Sequence, residues 1–221
     1  MQQGGLKPDV YSISAAISAC EKGRQWERAL SLLEEMQRGG VKPNMYTFNA
    51  AISACEKGGQ WERALSLLAE MQQGGLEPDV YSFSAAISAC EKGRQWERAL
   101  SLLEEMQRGG VEPNIFSYNS AISACEKGGQ WERALSLLDE MQQQGVESDV
   151  ISFNAAILAC QKGGQWERAL ALLKNMQQRG IEPGAISYGA AISACEKGGQ
   201  WELAESLLEE QQQSSYKAGF T

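Results

Sequence analysis

Histidine is missing from all 221 residues of this chain. Its absence removes histidine acid–base catalysis, Cys-His nucleophile pairs and the usual mixed Cys/His zinc sites. No run of about 18 apolar residues occurs, which argues against a membrane-spanning helix. No stretch alternates apolar and polar residues with period two, so no strands are expected. The opening carries neither a charged-then-apolar signal segment nor an Arg-rich transit segment, so the chain itself gives no localisation. No deaminase-type His-x-Glu with Cys-x-x-Cys and no nuclease carboxylate cluster follows anywhere. A non-enzymatic protein without metal, cofactor, small-molecule substrate or membrane partner is the expectation.

What the chain does have is a period of 35 residues. Pro8-Asp9-Val10-Tyr11-Ser12 returns as Pro43-Asn44-Met45-Tyr46-Thr47, Pro78-Asp79-Val80-Tyr81-Ser82 and Pro113-Asn114-Ile115-Phe116-Ser117, with looser copies at Ser148-Asp149 and Pro183-Gly184. Trp26, Trp61, Trp96, Trp131, Trp166 and Trp201 keep the same step. A fixed period of this size means one supersecondary unit stacked many times, each copy contacting mainly its neighbours. Such arrays present long concave surfaces and usually no enclosed pocket, so binding ranks ahead of catalysis. The repeats divide as 10–44, 45–79, 80–114, 115–149, 150–184 and 185–219, with 1–9 closing a preceding, truncated repeat. Met1-Gln2-Gln3-Gly4-Gly5-Leu6 reproduces Met71-Gln72-Gln73-Gly74-Gly75-Leu76, so a longer array is expected.

Each repeat reads as a helix pair. Ser12 is the expected N-cap of the first helix, and Ile13, Ala16, Ile17 and Cys20 mark one buried face at i, i+3, i+4 and i+7. Gly23 supplies the freedom a tight turn needs. The second helix carries Trp26, Ala29, Leu30, Leu33 and Met36 on one stripe, which places the tryptophans in the core rather than in an aromatic binding strip. Gly39-Gly40 closes it and Pro43 blocks continuation. Cys20, Cys55, Cys90, Cys125, Cys160 and Cys195 recur once per repeat. Equivalent positions on stacked helices lie about 8–10 Å apart, beyond the roughly 7 Å reach of a disulfide, so these are small buried apolar residues. The polar end Gln212-Gln213-Ser214-Ser215 reads as a loop. The fold class is all-α, a right-handed α-solenoid of stacked helix-turn-helix repeats.

The period, the two helices, the late Met-x-x-x-Gly and the closing Pro-Asp/Asn together resemble the pentatricopeptide repeat family. Val80-Tyr81-Ser82-Phe83-Ser84 and Glu105-Met106-Gln107-Arg108-Gly109-Gly110-Val111-Glu112-Pro113-Asn114 show the pattern best. The tetratricopeptide repeat has a shorter period and a different signature. The resemblance implies a single-stranded RNA binder in which each repeat holds one base. It implies a first base selector at Ser14, Asn49, Ser84, Asn119, Asn154 and Gly189, and a second at Asn44, Asp79, Asn114, Asp149 and Gly184. It further implies base-stacking residues at Tyr11, Tyr46, Tyr81, Phe116, Ile151 and Ile186, where the family usually has an aliphatic side chain. Phosphate-contacting lysines are implied at Lys22, Lys57, Lys92, Lys127, Lys162 and Lys197.

Side-chain chemistry gives these columns meaning. An Asp only accepts and suits a base with a ring N–H, whereas an Asn amide can donate to a ring nitrogen. A short Ser leaves room for a purine, and the longer Asn suits a pyrimidine. Repeats one and three then read A, repeats two and four read U, repeat five is ambiguous and repeat six reads nothing, giving 5′-AUAU-3′. The competing account is that these residues only cap helices and close Asx turns. For the aromatic column, the competing account is packing between repeats.

The net charge of −8 is unusual for an RNA binder, since phosphate contacts supply most nonspecific affinity. The acidic excess gathers late in the second helices, at pairs such as Glu34-Glu35 and Glu104-Glu105, which are expected to form an outer layer that could meet other proteins. The lysine column ends the inner helices, where helix-dipole compensation is an equally good reason for it. An acidic, tetratricopeptide-like scaffold for protein segments is the alternative function, and a consensus-designed array is a third. The family works mostly in mitochondria and plastids, on transcript stability, processing, editing or translation.

Overall fold

A computed structural model describes residues 9–218, with side chains to 213; the expected fragment of a preceding repeat, apart from Asp9, lies outside the described residues. Twelve helices and no strand occur among the described residues. They fall into two compact units, Met1–Pro113 and Asn114–Thr221. The first unit holds α1 (Val10–Lys22), α2 (Trp26–Arg38), α3 (Met45–Lys57), α4 (Trp61–Gln73), α5 (Val80–Lys92) and α6 (Trp96–Arg108). The second holds α7 (Ile115–Lys127), α8 (Trp131–Gln143), α9 (Val150–Lys162), α10 (Trp166–Gln178), α11 (Ala185–Lys197) and α12 (Trp201–Ala218). The architecture is an all-α helical repeat solenoid.

Within each unit the odd-numbered helices stack directly: α1 on α3 and α3 on α5, then α7 on α9 and α9 on α11. Their contact faces are built from small residues, and Ala51, Ala54, Ala86 and Ala89 are all fully buried. Phe48, Ile52 and Cys55 in α3, and Phe83, Ile87 and Cys90 in α5, occupy the expected buried face. The even-numbered helices instead lean on their own partner and on the next odd-numbered helix; α2 packs on α3, and α8 on α9. Long polar side chains span the gaps between them, as where Gln72 Nε2 donates to Glu105 Oε1 at 2.7 Å. Within each unit the odd-numbered helices thus form a tight layer and the even-numbered helices a looser one. Glu34, Glu35 and Glu104 are exposed on the looser layer.

Three local expectations need correction. Asp9, not Ser12, caps α1: Asp9 Oδ1 accepts the Ser12 N–H at 2.8 Å, and Ser12 is the third residue of the helix. The residue after proline is extended here, and its ionised carboxylate is a stronger acceptor than a hydroxyl. The left-handed residue after α1 is Arg24 at φ 55°, while Gly23 has φ −80°. Glycine at the Gly23 position answers a steric need instead: a Cβ on Gly58 or Gly93 would overlap the indole of Trp26 or Trp61 from the preceding repeat. Lastly, Gln212–Ser215 is helical, because α12 meets no glycine or proline before Gly219.

Five of the tryptophans are half-buried rather than core residues, and Trp201 is 66% exposed. Each of Trp26, Trp61, Trp131 and Trp166 lies over a glycine of the next repeat, at 58, 93, 163 and 198. Arg168 adds a guanidinium 5.1 Å from the Trp131 ring centroid. The true core of the even-numbered helices is Ala29, Leu33 and Met36 and their equivalents. The cysteines are free thiols, buried in all repeats but the first, where Cys20 is half-buried. Burial pushes the thiols of Cys55, Cys90, Cys125 and Cys160 up to about 11.

Candidate functional site

The residue just before each odd-numbered helix is extended and becomes its N-cap, whether a proline precedes it, as at Pro43 and Pro78, or a serine, as at Ser148. Asp79 has φ −95° and ψ −177°; its Oδ1 accepts the N–H groups of Tyr81 and Ser82 at 3.0 and 2.9 Å. Asn44 caps α3 in the same way, with Oδ1 taking the Thr47 N–H at 3.0 Å. Asn114 caps α7 through the Ser117 N–H at 3.0 Å, and Asp149 caps α9 through Ile151 and Ser152. Every second selector with a side chain is therefore a helix cap. Gly184 has none to offer.

Two of these caps also stand beside the first residue of the proposed selector pair in their own repeat. Asn49 Nδ2 lies 3.1 Å from Asp79 Oδ1 and 3.3 Å from Oδ2, although 30 residues separate them. Asn119 Nδ2 donates to Asp149 Oδ1 at 3.1 Å in the second unit. Burial raises the Asp149 carboxyl, but hydrogen bonds from the Ser152 N–H and hydroxyl, the Asn119 amide and the Ile151 N–H outweigh it and the net direction is down. The carboxylate is thus held ionised and acceptor-only. Ser84 is half-buried on α5 and Asn114 opens α7; they belong to different units.

Capping consumes one face of each cap and leaves the other. In Asn44 the oxygen serves the helix, so the amide nitrogen stays available as a donor. In Asp79, Oδ1 serves the helix and the shorter Asn49 contact, while Oδ2 carries the longer contact to Asn49. Capping and selection are compatible, because they use different atoms of the same side chain.

The stacking column lies on the surface. Tyr11 is 76% exposed, Tyr46 and Tyr81 71%, Phe116 69%, Ile151 60% and Ile186 59%, so most of each side chain lies outside the packing between repeats. Each is two residues after a cap, so it stands beside the selectors. Lysines of the column are engaged within the protein where a glutamate of the preceding repeat faces them. Lys57 Nζ pairs with Glu21 Oε1 at 2.6 Å, Lys162 with Glu126 Oε1 at 2.5 Å, and Lys92 with Glu56. Each glutamate lies one repeat earlier, at the residue before that repeat's own lysine. In the fifth repeat this position is Gln161, which donates to Ser193 Oγ at 3.0 Å, so Lys197 has lost the equivalent partner.

A further column escaped the sequence reading. Thr47, Ser82, Ser117, Ser152 and Ser187 are each fully buried. Three of these hydroxyls reach back to asparagines of the preceding odd-numbered helix: Ser82 Oγ donates to Asn49 Oδ1 at 2.5 Å, Ser152 to Asn119 at 2.5 Å and Ser187 to Asn154 at 2.6 Å. Thr47 Oγ1 and Ser14 Oγ lie 2.7 Å apart. The signal was present as a hydroxyl every 35 residues, but assigning Ser12 to the cap hid it.

The family model described as the pentacotripeptide-repeat region of PRORP matches residues 1–168. Models of the PPR repeat family and of the PPR repeat match residues 148–197 and 186–210. Among solved structures, the pentatricopeptide repeat protein PPR10 from maize is 29% identical with a TM-score of 0.75. That match covers 95% of this chain and 31% of the maize protein, so the chain spans under a third of that relative. The maize protein in complex with an 18-nt psaJ RNA element matches at 28% identity and TM-score 0.66, over 95% of this chain and 29% of that one. The PPR domain of Arabidopsis thaliana protein-only RNase P 1, in complex with tRNA, shares the fold at TM-score 0.72 and 16% identity, over 92% of this chain and 98% of its own. No curated protein sequence matches the chain.

Proposed function

The chain belongs to the pentatricopeptide repeat family, and from that premise we propose that it binds single-stranded RNA, one base per repeat, with a preferred core of 5′-AUAU-3′. The observation that carries this reading is the meeting of Asn49 with Asp79, and of Asn119 with Asp149, across 30 residues of sequence. Each meeting places an amide donor beside a carboxylate acceptor, next to an exposed flat or branched side chain on which a base can stack. A base-stacking contact of this kind contributes about 1–3 kcal/mol. The RNA complex of the maize relative supports the ligand class. The repeats act as a binding module rather than a catalyst, in the processing, stability, editing or translation of mitochondrial or plastid transcripts.

The lysine column supplies the phosphate contacts, weakened by the neighbouring glutamates. Affinity is therefore modest and its salt dependence shallow, with at most about six phosphates neutralised. Selection from a randomised single-stranded RNA pool tests the proposal. Enrichment of AUAU, with affinity falling as salt rises, is the expected result. Absence of any RNA binding, with capture of peptide segments instead, would establish the scaffold alternative.

A further inference from the structure

The buried hydroxyl column does more than close capping boxes. Ser82 is fully buried and has a single proton to give. Of its acceptors, Asn49 Oδ1 lies at 2.5 Å, whereas Asp79 Oδ1 is farther, at 3.0 Å, and already receives two backbone N–H groups. The proton therefore goes to Asn49. That bond fixes the amide: Oδ1 faces the hydroxyl, and one Nδ2 hydrogen goes to the Asp79 carboxylate. What remains is one Nδ2 hydrogen of Asn49 next to Asp79 Oδ2. The same set recurs with Ser152, Asn119 and Asp149, where the hydroxyl bond is again 2.5 Å and the amide–carboxylate bond 3.1 Å.

A donor beside an acceptor is complementary to the edge of uracil, which offers a carbonyl acceptor next to its ring N–H. Cytosine presents the reverse order, a ring-nitrogen acceptor next to an amino donor. An amide free to rotate would blur that distinction, because its oxygen could replace its nitrogen at the base.

We propose that Ser82 and Ser152, each the third residue of the helix that follows, are positioning residues for base selection: they lock the Asn49 and Asn119 amides in the orientation that reads uracil. The inference rests on the RNA-binding reading above and adds a residue to it. Neither serine touches the base; each acts through the asparagine. Thr47 in the same column, bonded to the Asn44 cap and 2.7 Å from Ser14 Oγ, shows that a threonine hydroxyl fits there.

The test uses the whole chain and RNAs carrying AUAU or its single changes to C at the second or fourth position, at one salt concentration. Affinities are measured for the unmodified protein, Ser82→Ala, Ser82→Thr and Ser152→Ala, with thermal melting to verify folding. Ser82→Ala should reduce the preference for U over C at the second position by about fivefold or more, the lower end for a lost buried polar contact. It should leave the fourth position unchanged. Ser152→Ala should do the converse, and Ser82→Thr should keep the original preference. In parallel, the Asn49 side-chain amide protons should exchange with solvent faster in Ser82→Ala, a readout that needs no RNA. An equal loss of affinity for every RNA, or an intact preference with unchanged amide exchange, would overturn the positioning role and leave RNA binding standing. Absence of any U preference in the unmodified protein would overturn the RNA reading, and this inference with it.

Discussion

Charge and proton occupancy at single residues make the first claims that can be measured. Lys92 is held by Glu56 and Lys57 by Glu21, so an RNA phosphate must compete with a carboxylate for each ammonium. Glu56→Gln should free Lys92 and steepen the salt dependence of RNA affinity, by at most about 0.7 in log–log slope for one added contact to a single strand. An unchanged slope would show that Lys92 meets no phosphate. The thiols make a second claim. Cys55, Cys90, Cys125 and Cys160 keep their protons to about pH 11 in the folded protein, against an ordinary value of 9.0. Between those values the unfolded chain releases protons that the folded chain retains, so unfolding free energy should be intact below pH 9 and fall as pH rises toward 11. Urea titrations at stepped pH should show this fall, and Cys90→Ala should make it shallower. These thiols behave as the sequence led one to expect, since one small apolar residue per repeat on a helical stripe admits little else. The contacts at the proposed selector columns were only half legible. Their columns could be read from the repeat, but whether Asp79 caps a helix or reads a base depended on which of its oxygens faces where.

At the level of the helix pair, the junction between repeats rests on an indole lying over a glycine. Gly93→Ala would push a methyl group into Trp61 and should cost about 1–3 kcal/mol, as overpacking does. In a Trp61→Ala background the same change should cost much less, because the two sites share one contact. Equal costs in both backgrounds would mean that Gly93 is required by the backbone instead. Gly59, at φ 70°, is the contrasting case: Arg24 and Arg94 hold the equivalent position at φ 55° and 56°, so Gly59→Arg should cost about 1 kcal/mol or less. Helix number, order and the buried face through Phe48, Ala51, Ile52 and Cys55 followed directly from the 35-residue pattern. The role of the tryptophans did not. A stripe on a helical wheel cannot distinguish a side chain facing its own repeat's core from one overhanging the next turn, and the difference lies in the Gly58 and Gly93 partners 32 residues away.

For the molecule as a whole, the helix pairs contact only their neighbours within each unit, so stability is a sum over repeats and junctions. Circular dichroism should show a helical protein without strand signal, and removing α11 and α12 should lower the unfolding midpoint without abolishing folding. A single all-or-none loss on that deletion would contradict nearest-neighbour stability. On the proposed reading the net charge of −8 does not oppose RNA binding, because within each unit acidic pairs such as Glu34-Glu35 lie on the even-numbered helices while the proposed selectors and exposed aromatics stand at the start of the odd-numbered ones. The central claim is that paired side chains choose the base, and exchanging one pair tests it most directly. Asn49→Ser together with Asp79→Asn gives the second repeat the Ser-and-Asn pair of the first. At one salt concentration, affinities of the double variant and the unmodified protein are compared for RNAs with AUAU or AAAU cores. The account predicts a switch of preference to AAAU, with about 1–3 kcal/mol, roughly five- to 150-fold, separating matched from mismatched RNA. Retention of the AUAU preference by the double variant would contradict it and reduce these columns to caps and turns.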